Sequence, residues 1–120
     1  MLFAMERTTV AGRPALTVRG ELDLSTAPVL AAAIDGELDP RPRSLVLDLT
    51  HASFMDSSGA RELARTAKKA SAAGVPLHVV VPPSNRPVRL PIDLLDLGAI
   101  VPIVGSAAEI PTIAGRDVAP

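Results

Sequence analysis

Hydrophobic and polar positions change period several times along this chain, and each change marks an element. Leu2 to Thr9 reads as a first strand, Gly12-Arg13-Pro14 as a turn, and Ala15 to Gly20 as a second strand in which Leu16 and Val18 alternate with Thr17 and Arg19. These two strands predict an antiparallel hairpin at a sheet edge. Ser25 or Thr26 then caps a helix that tolerates Pro28 in its first turn. Val29, Leu30, Ala33 and Ile34 supply its apolar stripe, and the helix ends before Gly36.

The segment Asp39-Pro40-Arg41-Pro42-Arg43 cannot continue a helix, and it delivers the chain to Ser44–Leu49, whose consecutive Leu45, Val46 and Leu47 suit a central strand. Ala60 to Ala73 has helix-forming composition closed by Gly74, and Pro76 to Val81 reads as another strand, broken by Pro82-Pro83-Ser84. An irregular third helix is expected from Ser84 to Leu97, a short strand from Ile100 to Val104, and a last helix from Ser106 to Ile113. The alternation of strands and helices predicts an α/β domain. Its sheet has four to five strands, is mostly parallel with an antiparallel N-terminal edge, and carries about four helices.

Composition narrows the function classes. The 120 residues are 48% hydrophobic with Phe3 and Phe54 as the only aromatics, so one core of Leu, Val, Ile and Ala is expected over residues 1–113, with 114–120 a frayed tail. A net charge of −1 and the lack of an aromatic stacking platform argue against nucleic acid and anionic membrane as partners. There is no cysteine, and His51 and His78 lack metal-ligand spacing, so neither a metal nor a cofactor is expected. No basic segment precedes an apolar stretch at the N-terminus, and no apolar run approaches about 18 residues, which fits a soluble cytoplasmic protein.

The densest chemistry lies in Phe54-Met55-Asp56-Ser57-Ser58-Gly59, where a buried strand and its loop give way to a helix. Backbone N–H groups at a helix start lack intrahelical partners and carry partial positive charge, so a phosphate on a serine would be tolerated or stabilised there. Asp and Ser are also preferred N-cap residues, and capping accounts for the same tetrapeptide. A hydrolase elbow of the form Gly-x-Ser-x-Gly is absent, and His51 is the only candidate base near the serines in sequence.

A strand closing on Gly20-Glu21-Leu22-Asp23, a helix, a buried strand ending in Leu-Asp-Leu, and then Phe-Met-Asp-Ser-Ser-Gly opening a second helix resembles the anti-sigma factor antagonists of the STAS domain family, over about residues 5 to 110. The resemblance implies a bacterial regulator that is not an enzyme. It would bind an anti-sigma factor serine kinase, be inactivated when that kinase phosphorylates Ser58 (Ser57 being the alternative), and be restored by a PP2C-type phosphatase. Asp56, Ser57 and Gly59 would form the phosphosite loop. Asp23, which could be only a loop cap, would by the resemblance lie near the modified serine as a partner-binding or phosphorylation-supporting residue, and the oligomeric state would be a monomer or a weak dimer. Arg61, Arg65, Lys68 and Lys69 fall on one side of the second helix. Charge pattern alone makes them a solvated face, whereas the resemblance makes Arg61, Arg65 and Lys68 a partner-binding stripe. Ala60 and Arg61 depart from the family pattern, where a larger aliphatic and a small residue commonly follow the motif, and Pro91 interrupts a helix that is usually more regular. The other reading the resemblance allows is a non-phosphorylated STAS subunit of a signalling or lipid-transport assembly.

Overall fold

In the computed structural model, which describes residues 3–111, five strands lie side by side in chain order. They are β1 (Ala4–Val10), β2 (Arg13–Leu22), β3 (Leu45–Met55), β4 (Leu77–Val80) and β5 (Ile103–Val104); α1 (Ala27–Leu38), α2 (Ser57–Ala73) and α3 (Arg86–Leu94) fill the crossovers. β1 and β2 pair antiparallel, and all later pairs are parallel, with β3 at the centre. The hairpin turns on Ala11 and Gly12, with φ of 54° and 73°, not on Gly12-Arg13-Pro14. Positive φ at both central positions is the turn geometry whose twist matches paired strands. Arg13 and Pro14 are therefore free to open β2, which runs on to Leu22.

Alternation decides which side of the sheet is covered. Leu16, Val18, Leu45, Leu47, Leu49, Val79 and Val81 form one buried cluster with Leu30, Ile34, Leu63, Val88 and Ile92 from the three helices. The intervening residues Ala15, Val46 and Val80 meet Ile110 in a small second cluster on the opposite face. Among the described residues the three α-helices thus cover one face only.

Three further expectations need correction. About four helices were expected, but the described residues hold three α-helices and two short 3₁₀ turns, Leu97–Ala99 and Ala107–Glu109. The last of these replaces the start of the expected helix from Ser106; Thr112 and Ile113, like the tail 114–120, lie outside the described residues. α1 does not stop before Gly36 but continues through it, because burying Leu38 offsets the roughly 1 kcal/mol cost of an internal glycine. Its buried stripe is Ala27, Leu30, Ile34 and Leu38, while Val29 is 49% exposed. β3 outlasts its apolar run by six residues, to Met55, because parallel pairing with β2 continues across two irregularities in register. α3 is held against β3 by Asn85, whose side-chain amide donates to the carbonyls of Leu49 (3.1 Å) and Ala52 (2.9 Å).

Candidate functional site

The site is built where β2 and β3 end together. Leu22 and Met55 are paired in register, and the backbone N–H of Asp56 donates to the Leu22 carbonyl at 3.2 Å, so the segments that follow both strands leave the same end of the sheet. Asp56 alone makes the turn from strand to helix. Its backbone is extended, and its Oδ1 accepts from the N–H groups of Ser58 (2.9 Å) and Gly59 (3.0 Å), which settles two of the free donors at the start of α2. Capping therefore belongs to Asp56. Neither Ser57 nor Ser58 makes a side-chain hydrogen bond among the described residues; Ser57 is exposed and Ser58 half-buried.

Gly59 is fixed by packing. It is buried, and a Cβ there would lie 2.5 Å from the Leu22 carbonyl oxygen and 2.7 Å from Cγ of Met55. Real side chains do not come so close to backbone. Glycine thus lets α2 sit directly on the ends of both strands, and no positive φ is involved.

Asp23 organises the neighbouring loop. Its Oδ1 accepts from the Ser25 N–H (3.0 Å), the Ser25 hydroxyl (2.8 Å) and the Thr26 N–H (3.1 Å). These donors, the Ser25 hydroxyl foremost and the Thr26 N–H next, hold the carboxyl below the ordinary aspartate range. Thr26 occupies the cap position of α1 without a side-chain cap bond, since its hydroxyl donates back to the Glu21 carbonyl at 2.7 Å. The helix start is therefore ordered by Asp23, not by Ser25 or Thr26 as hydroxyl caps.

Between α1 and α2 runs a groove of about 390 Å³, with Leu24, Ala27, Pro28 and Ala31 along one wall and Ser58, Arg61, Glu62 and Arg65 along the other. The basic stripe divides here. Arg61 and Arg65 border this groove with Ser58, whereas Lys68 lines a separate depression with Ala64, Ser71 and Ile100. Lys69 is drawn to α1 by an ion pair with Asp35 at 2.9 Å. Leu24, Ala27, Ala31 and Glu62 of the groove belong to no local sequence motif, and two of them stand out. Leu24 is 74% exposed, and Glu62 is only 2% exposed despite its charge. Glu62 lies one helical turn beyond Ser58, a spacing that could have drawn attention to it.

The histidines stand apart from the serines. His51 is exposed on β3, four positions before Met55, or about 13 Å at a strand rise of about 3.3 Å per residue. His78 is on β4, beside Val46 of β3. Neither is placed to serve as a base for Ser57 or Ser58. Among the described residues no three His, Asp or Glu side chains gather as a metal site, and no helix is long and apolar enough to cross a membrane.

Residues 4–110 of this chain match the model of the STAS domain, and the chain belongs to that family. The anti-sigma-F factor antagonist RsfB of Mycobacterium tuberculosis is 37% identical over 86 residues, spanning 72% of this chain and 68% of RsfB. The crystal structure of an anti-sigma factor antagonist from Mycobacterium paratuberculosis superposes with a TM-score of 0.77 at 30% identity, covering 88% of this chain and 87% of that one. Protein TM1081 of Thermotoga maritima shares the fold, with a TM-score of 0.75 at 23% identity over 88% of this chain and 89% of its own.

Proposed function

We propose that this protein is an anti-sigma factor antagonist: unphosphorylated, it holds an anti-sigma serine kinase in the bacterial cytoplasm and so frees a sigma factor, and phosphorylation of Ser58 by that kinase ends the complex. The observation that carries the reading is the division of labour at the start of α2. Asp56 supplies the cap, so the Ser58 hydroxyl is surplus to the fold, and it stands at the groove that Arg61 and Arg65 border. The named roles of RsfB and of the M. paratuberculosis protein support the same class of partner.

The protein acts as phosphoryl acceptor and not as an enzyme. Ser58 Oγ forms a bond to the γ-phosphorus of ATP as the bond from that phosphorus to the β,γ-bridging oxygen breaks, ADP leaves, and the hydroxyl proton passes to a base of the kinase. The metal bound to ATP and the base come from the kinase, while this chain contributes a hydroxyl in fixed geometry. A charge of about −1.5 to −2 then stands inside the contact, where desolvation and repulsion oppose rebinding. A PP2C-type phosphatase restores the hydroxyl. Intact-mass measurement after incubation with the anti-sigma kinases of the source genome and ATP tests the reading. One phosphoryl group on the wild type and none on Ser58→Ala is the expected result; a label that persists in Ser58→Ala moves the acceptor to Ser57 or elsewhere.

A further inference from the structure

Glu62 is an acidic residue in an apolar setting. It is 2% exposed on the inner wall of the α1–α2 groove, across from Leu24, Ala27 and Ala31. Its compensation within the chain is thin. Oε2 accepts from the Thr66 hydroxyl at 3.4 Å, near the limit of a hydrogen bond, and Oε1 has only the Arg65 guanidinium, at 3.7 Å, which is too long for one. The Arg65 side chain is itself 59% exposed, so it reaches in from solvent and can leave at little cost. A carboxylate that is buried and left short of donors is costly, and a donor that meets it recovers that cost.

We propose that Glu62 receives one basic side chain of the anti-sigma kinase through this groove and thereby selects which kinase the protein binds; the inference rests on the function proposed above. Charge complementarity sets the chemistry of the occupant. Arg or Lys suits the carboxylate at the floor, and acidic residues flanking it on the kinase suit Arg61 and Arg65 at the rim. The exposed Leu24 stands over the groove and excludes water from the pair once the kinase is seated. Selectivity follows because Glu62 is already buried and short of donors in the free protein, so a kinase that supplies the basic residue gains a pairing that a kinase lacking it forgoes. The groove volume of about 390 Å³ has ample room for one long side chain.

The test is calorimetric titration of wild type and Glu62→Gln with each purified anti-sigma kinase of the source genome. Glutamine keeps the shape and the Thr66 contact but removes the charge. At least a tenfold loss of affinity is expected, with a melting temperature equal to or above that of wild type, since the buried charge is removed. Replacing the basic residues on the kinase's contact surface one at a time by methionine should find one whose loss matches that of Glu62→Gln and adds nothing to it in combination. Glu62→Asp, which keeps the charge but withdraws it by one methylene, should weaken binding severalfold and remain coupled to the same kinase residue, and it carries the test if Glu62→Gln does not fold. Binding of Glu62→Gln within twofold of wild type, or the lack of any coupled basic residue, overturns the inference while leaving the antagonist reading intact. If wild type binds none of the kinases, that reading fails first and the inference falls with it.

Discussion

The Asp56 carboxylate accepts the backbone N–H of Ser58 at 2.9 Å, so the residue before the two serines holds the start of α2 in place while their hydroxyls take no part. Asp56→Ala removes the cap and is expected to cost about 0.5–2 kcal/mol of stability. Ser57→Ala and Ser58→Ala should each stay within about 0.5 kcal/mol of wild type, as surface changes away from such features do. Chemical denaturation of the three variants checks this, and a serine variant as damaged as Asp56→Ala would return the capping role to that hydroxyl.

Gly59 tests packing apart from access. Because a Cβ would meet the Leu22 carbonyl oxygen at 2.5 Å, even Gly59→Ala must push α2 away from the ends of β2 and β3. The expected loss is about 1–3 kcal/mol, read as a lowered melting temperature, and Gly59→Val should be worse. Phosphorylation should fall only as far as the folded population does. A Gly59→Ala protein of wild-type stability that is nevertheless a poor kinase substrate would mean that glycine serves the approach of the kinase instead.

Charge reversal should divide the basic residues as the two depressions do. Arg61 and Arg65 share a groove with Ser58 and Lys68 does not, so Arg61→Glu and Arg65→Glu are expected to slow association with the kinase and weaken its salt dependence, and Lys68→Glu to do so much less. Surface plasmon resonance at two ionic strengths separates the three. Equal effects at all three positions would restore a single continuous stripe.

One acid-sensitive group lies far from the site. Burial first, and the nearby positive charge of Arg13 second, push the His78 imidazole below the ordinary histidine range. The unfolded chain therefore takes up this proton at a higher pH than the folded one. Stability contributed by neutral His78 is complete above about pH 6.5 and declines as pH falls from there toward the lower folded value. His78→Gln should flatten that part of a stability–pH curve, and an unaltered slope would assign it to other groups.

The parts of the fold legible in the sequence are those with strong local patterns: the alternation of Leu16 and Val18, the run Leu45-Val46-Leu47, and the helix closed by Gly74, which ends in a left-handed residue. Thr50, His51 and Ser53 hid the far half of β3, because parallel pairing with β2, with only Ala52 and Met55 buried, carries the strand onward to Met55. The candidate site divides in the same way. Asp23, Asp56, Ser58 and Gly59 lie in two short motifs and could be found by reading along the chain. The groove joins Ser58 and Glu62 to residues about thirty positions earlier, Leu24 to Ala31, and the packing of α1 beside α2 brings them together. Lys68 and Lys69 follow Arg61 and Arg65 at helical spacing, yet only the neighbours of α2 determine which of them face the same depression.

The central claim is that a phosphate on Ser58 blocks an interface without altering the domain that carries it. The most direct measurement is kinase binding by surface plasmon resonance for the protein phosphorylated on Ser58, with its thermal melt taken on the same sample. The account predicts a sharply raised dissociation rate and a melting temperature close to that of the unmodified protein, since an anion at a helix N-terminus is favourable or neutral within the free domain. Undiminished binding by the phosphorylated protein, or binding lost only together with the fold, would contradict it.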